Sequence, residues 1–111
     1  MAKDQTSIRQ RFADYIRRKW IQNDHNLKEI PCVYALVSFD VYNTNVIEVA
    51  YIGSSIKLNS RYKSHKVPNK IQKEGKISIM YFLPMSKGFY DYEIKLINKL
   101  KPQFNKQHKN G

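Results

Sequence analysis

A single cysteine, Cys32, can close no internal disulfide and cannot assemble a multi-cysteine zinc site. No apolar run approaches the roughly 20 residues that would span a bilayer. The first dozen residues, Met1 to Phe12, are polar and charged, unlike a secretory signal. There is no internal repeat and no low-complexity tract. Acidic residues are scarce, with nine Asp and Glu against twenty Lys and Arg. These absences point away from a disulfide scaffold, a membrane span or a secreted chain. The expectation is a reduced, cytoplasmic protein without a membrane partner.

What is present is one domain's worth of chain, 111 residues with 41% hydrophobic and 13% aromatic content. That is ample for a folded core and leaves no room for a second one of full size. The formal net charge is +11. A field of that size draws in polyanions and raises their encounter rate. Nucleic acid is the expected partner, ahead of an anionic membrane surface or an acidic protein.

From Thr6 to Asn23, Ile8, Phe12, Tyr15, Ile16 and Trp20 recur at helical spacing, and Arg9, Arg11, Arg17, Arg18 and Lys19 fill much of the remaining surface. This is a basic amphipathic helix, serving either as an arm on the phosphate backbone or as a covering helix with a solvated face. Pro31 precedes a β-rich run from Cys32 to Phe39. A turn-like segment, Asp40 to Asn45, leads into a second run from Val46 to Ile52, stopped by Gly53. Two such runs about a polar turn predict an antiparallel hairpin. Lys57 to Lys66 suits a short helix that buries Leu58 and Tyr62. Lys76 to Leu83 alternates as a third strand, blocked by Pro84. Phe89 to Leu100 is a last helix, ended before Pro102. The fold class is thus α/β, a three-stranded, mostly antiparallel sheet flanked by helices, with an extra N-terminal basic amphipathic helix. Its parts are residues 1–29, the basic helix and connector; 30–105, the core domain; and 106–111, a polar tail.

The last helix contains an anomaly. At 100° per residue, Phe89, Leu96 and Leu100 share one direction, and Glu93 lies about 40° from it, inside the apolar stripe. A carboxylate there is costly unless a cation or metal compensates it. It is either a metal ligand or half of a partly buried ion pair with Arg61 or a lysine. Arg61 and His65, four apart, share a face of the short helix near the Leu58/Tyr62 stripe. Arginine can clamp a phosphate and histidine can move a proton near neutral pH, although both could also be solvated side chains.

Taken in order, these residues resemble the GIY-YIG nucleases. The first motif strand reads Cys32-Val33-Tyr34 and the second Tyr51-Ile52-Gly53. Arg61 follows ten residues after Tyr51, then His65, then Glu93, and the chain closes on Leu100-Lys-Pro-Gln-Phe-Asn105. Tyr-Ile-Gly alone is a weak signal; five elements in conforming order are specific. The match spans Cys32 to Asn105. It departs from the family pattern in Cys32, where glycine is usual, and in the long stretch between Tyr34 and Tyr51.

The resemblance implies an endodeoxyribonuclease that hydrolyses phosphodiester bonds with one divalent cation, Mg²⁺ (or Mn²⁺), held by Glu93. Arg61 would stabilise charge on the phosphoryl oxygens. Tyr34 or Tyr51 would activate water once cations lower its pKa, His65 would assist or relay the proton, and Asn105 would orient a strand or a tyrosine. As strand aromatics, the two tyrosines could equally be core. Phosphate contacts are expected from Arg9, Arg11, Arg17, Arg18, Lys19, Lys57, Lys63 and Lys66. A homodimer would account for cleavage of both strands, and small size suits a stand-alone phage or restriction-type enzyme. The competing expectations are a non-cleaving DNA- or RNA-binding module on the same fold and an interaction protein that docks through the N-terminal helix.

Overall fold

The computed structural model describes residues 3–24 and 29–105, with side chains from Thr6 onward. The expected tail at 106–111 and part of the connector at 25–28 lie outside the described residues.

The elements in chain order are α1 (Lys3–Lys19), β1 (Ile21–Gln22), β2 (Cys32–Asp40), β3 (Ile47–Ser55), α2 (Leu58–Ser64), α3 (Val67–Lys73), β4 (Lys76–Pro84) and α4 (Phe89–Leu100). The strands form one antiparallel sheet in the order β1-β4-β2-β3. The class is α/β, with four strands instead of the expected three. The extra strand is only two residues long, and Ile21 and Gln22 pair with Phe82 and Tyr81. Two residues are too few to show a period-2 pattern, so the helical periodicity of the preceding segment masked them.

Each sheet face carries its own core. Val33, Ala35, Val37, Val49 and Ile52 point to one face, covered by Ala13, Ile16 and Trp20 of α1 and by Leu96, Ile97 and Leu100 of α4. Cys32, Tyr34, Leu36, Tyr51 and Phe82 point to the other, covered by Leu58 of α2 and by Val67 and Ile71 of α3. The N-terminal helix is therefore a cover sharing the core of the strands. Burying its apolar side chains, each worth about 1.5–3 kcal/mol when fully removed from water, holds it there.

Several expected boundaries move. β3 does not stop at Gly53 but continues to Ser55. The single helix expected over Lys57–Lys66 ends at Ser64, and His65 adopts extended backbone with φ −73° and ψ 132°. A second helix then starts at Val67, with Pro68 in its first turn, where proline is tolerated because the N–H is unneeded. Tyr62, expected inside, is 36% exposed.

A β-bulge interrupts the β2–β3 ladder. Leu36 pairs with Tyr51 and Val37 with Val49, leaving Ala50 as the extra residue. Ala50 and Tyr51 consequently both join the α2/α3 side. Along the free edge of β3 runs the segment after α4. The Phe104 N–H donates to the Ala50 carbonyl at 3.1 Å. Asn105 imitates a strand, its Oδ1 accepting from the Ile52 N–H at 2.9 Å and its Nδ2 donating to the Ile52 carbonyl at 2.8 Å. An edge that would otherwise present unpaired backbone groups is thereby closed.

Candidate active site

Tyr34 and Tyr51 stand on neighbouring strands with ring centroids 6.1 Å apart and planes 24° from parallel. The Tyr34 ring lies directly over Gly53, its partner in the ladder. A Cβ at that glycine would sit 2.5 Å from the Tyr34 Cζ and Oη, so the backbone must be bare there. Gly53 is needed for close approach and not for an unusual φ. Arg61 reaches back from α2, and its Nε donates to the Tyr34 hydroxyl at 3.1 Å. His65 stands edge-on to both rings, with centroids 5.6 Å from Tyr34 and 4.7 Å from Tyr51. The four residues form one contiguous cluster on the α2/α3 face. The helical i, i+4 argument for Arg61 and His65 does not hold, because His65 lies beyond the helix; contact through the tyrosines replaces it.

Glu93 arrives from the other face. It is 6% exposed in α4, and its Oε1 accepts the Ser54 hydroxyl at 2.5 Å. Ser54 adjoins Gly53, so the tyrosine cluster and the buried carboxylate flank the same Gly53–Ser54 step of β3 from opposite sides. Asn105 holds the preceding residue, Ile52, by its backbone. The structure gives Asn105 a role in orienting a strand and shows no bond from it to a tyrosine.

Burial dominates the ionisation of the cluster. It pushes the Tyr34 hydroxyl above its usual 10, Tyr51 adds to the rise, and Arg61 opposes it without prevailing. Of the cations expected to lower it, Arg61 alone is outweighed by the desolvation of a 1% exposed phenol. Burial works against the charge on Arg61, yet Tyr34 and Tyr51 raise its pKa on balance. His65 is pulled down to about 4, first by burial and then by Arg61. The Cys32 thiol, fully buried where the family pattern has glycine, is pushed up to about 12 and is no nucleophile.

A cavity of about 210 Å³ opens beside the cluster, lined by Tyr51, Arg61, Ser64, His65, Lys66, Val67, Lys70 and Phe104. Lys66 was expected to meet phosphate. Lys70 was not, since α3 went unread; Val67 and Ile71 at i, i+4 behind Pro68 are the signal that marks it. Ser54 likewise escaped notice, lying just past a supposed strand end.

The other expected phosphate contacts divide by position. Lys57, Lys63 and Lys66 are exposed on the α2/α3 side, and Arg11, Arg17, Arg18 and Lys19 are exposed on α1, across the sheet. Arg17 and Arg18 both pair with Asp14, at 2.9 and 3.0 Å. Such exposed pairs are weak and exchange readily. Arg9 is different. It is paired with Glu48 and also donates to the Leu100 and Lys101 carbonyls at 3.2 and 3.3 Å, so it is a structural clamp and not a free phosphate ligand.

Among the described residues, no three His, Cys, Asp or Glu side chains gather into a metal-binding group. The Glu93 carboxylate and the Ser54 hydroxyl are oxygen donors of the kind a hard cation such as Mg²⁺ takes. No helix among them is long and apolar enough to cross a membrane. No family model, curated protein or solved structure matches the chain.

Proposed function

We propose that the chain is a metal-dependent endonuclease of the GIY-YIG type, hydrolysing DNA phosphodiester bonds at the Tyr34–Tyr51–Arg61–His65 cluster. The observation that carries this reading is the Arg61–Tyr34 hydrogen bond over bare Gly53, with Glu93 buried one residue further along the same strand. Contacts between residues 27 and 39 positions apart in the chain thus converge on one short segment of an edge strand. A core built only for packing has no use for a part-buried arginine–phenol bond and a buried carboxylate there.

Arg61 holds a phosphoryl oxygen as charge develops on it, in a partly desolvated setting where that contact is strong. Tyr34, with its raised pKa, keeps its proton and fixes the Arg61 guanidinium. Tyr51 lines the cavity and is the better placed of the two tyrosines; as the phenolate it would take the proton that the attacking water gives up and become the neutral phenol. Mg²⁺ or Mn²⁺ held by Glu93 would supply charge neutralisation on the phosphate. Lys66 and Lys70 add positive field at the mouth of the cavity.

Nicking of supercoiled plasmid in Mg²⁺, stopped by chelation, is the test. Arg61→Ala should slow it by roughly 10²–10³ through loss of a transition-state contact. Glu93→Gln should abolish it with fold and DNA binding kept. Because Glu93 also anchors Ser54, a second reading, a DNA- or RNA-binding module that does not cut, has its own support. A Glu93→Gln protein that folds, binds DNA and nicks normally removes the endonuclease mechanism; a wild-type protein that binds and never nicks leaves the binding module.

A further inference from the structure

The imidazole of His65 is 7% exposed, and its two nitrogens stand in different situations. Nδ1 accepts a hydrogen bond from the Val67 backbone N–H at 3.3 Å. A nitrogen that accepts a backbone N–H carries no proton, so in the uncharged ring the proton resides on Nε2. Nε2 is buried and has no hydrogen-bond partner among the described residues. Buried donors are nearly always matched, and an orphan one marks a site whose acceptor comes from elsewhere. The groups around the ring are Tyr34 of β2, Tyr51 of β3, Arg61 of α2, and Lys66 and Lys70 of α3, three of them cations. The missing acceptor that suits such walls is an anionic oxygen.

We propose that His65 is a fixed hydrogen-bond donor, its Nε2–H held for a phosphoryl oxygen that enters the cavity beside Arg61, Lys66 and Lys70, and is not a carrier of protons. The inference rests on the endonuclease reading only for the source of that phosphate, a nucleic-acid backbone. A proton relay needs a ring nitrogen free to accept, and the one lone pair His65 has is spent on the Val67 backbone. Burial and Arg61 keep the ring uncharged at neutral pH, with its pKa at about 4, which maintains the donor form. Extended backbone at His65, between the end of α2 and the start of α3, lets it occupy this position; on a continuous helix the Val67 N–H would be directed to a carbonyl.

The experiment is nitrogen NMR of histidine-labelled protein without divalent cations, from about pH 8 to about pH 5, with His65→Gln to assign the signal among the three histidines. The expected result is an Nε2–H imidazole that does not titrate in that range. Inorganic phosphate, and separately a short DNA duplex, should move its Nε2–H proton downfield saturably. Lys66→Ala/Lys70→Ala, two exposed sites, should lose that response with the fold intact. A proton on Nδ1, titration near the ordinary 6.5, or no response to either probe overturns the proposal. A response to phosphate and not to DNA overturns its backbone source. The readout needs no cleavage: a protein that passes and does not nick removes the endonuclease reading alone, and one that nicks but fails here removes this inference alone.

Discussion

Gly53→Ala adds one methyl group at the most crowded point of the site. Its Cβ would lie 2.5 Å from the Cζ and Oη of Tyr34 and 2.9 Å from Cε2, where ordinary carbon contacts begin near 3.5 Å. The ring must give way by about 1 Å. It has little room, being fully buried, stacked on Tyr51 and flanked by His65. A displacement of that size also stretches the 3.1 Å Arg61–Tyr34 bond past hydrogen-bonding distance. Overpacking costs about 1–3 kcal/mol, and the lost bond, discounted because Arg61 is partly exposed, about 1 kcal/mol more. The melting temperature should fall by about 10 °C. Nicking at a temperature where the variant is folded should fall by about 10², because Arg61 loses its bracket. Gly75→Ala is the control: its φ of 78° disfavours a side chain, but among the described residues no atom beyond its chain neighbours lies within 4 Å of the added Cβ. That variant should lose about 1 kcal/mol and keep its activity. Differential scanning fluorimetry and the plasmid assay read both quantities. Gly53→Ala with the wild-type melting point and nicking rate would refute the account of Tyr34 and of the site's geometry together.

Asn105→Ala should cost about 2–4 kcal/mol in chemical denaturation, since it strands both the N–H and the carbonyl of buried Ile52; a loss within error would mean that water replaces the clasp. His65 gives stability a pH dependence of known sign. Its folded pKa, near 4, lies below the ordinary 6.5, so the unfolded chain binds more protons between those values, and stability present above 6.5 is lost as pH falls toward 4. The drop should be about 3 kcal/mol and flatter in His65→Gln; equal slopes would show that His65 charges freely in the fold. DNA affinity should fall steeply with salt, and Lys66→Ala/Lys70→Ala should make log Kd less steep against log salt by about 2; an affinity indifferent to salt would exclude a phosphate partner.

Long, strongly periodic segments were legible from sequence. The last helix was expected at Phe89–Leu100 and is found there, and the burial of Glu93 follows from its place on that wheel. The two long hairpin strands were legible for the same reason, apart from their ends. What escaped was set by tertiary contact. Gly53 reads locally as a strand stop, but an opposing ring needs it inside the strand. Arg9 reads as surface charge because its partners, Glu48 and the carbonyls after α4, are 39 and more than 90 residues away. His65 reads as helical because the break before Val67 has no glycine to announce it. The upward shift of Tyr34 depends on desolvation, which no spacing rule carries.

The Arg9 clamp also has a consequence for how the chain comes to be folded. α1 binds β3 through Glu48 and the end of α4 through two backbone carbonyls, so its final docking must wait until residues near position 101 exist. Until then Ala13, Ile16 and Trp20 have no complete surface to cover, and the helix is exposed on a growing chain. Pairing across so great a separation is slow compared with closing the β2–β3 hairpin. The docking of α1 thus comes late although its residues are made before those of its partners. On a ribosome, where the surroundings are rich in RNA phosphate, the basic face of α1 would stay open to a polyanion while the helix waits for its partners.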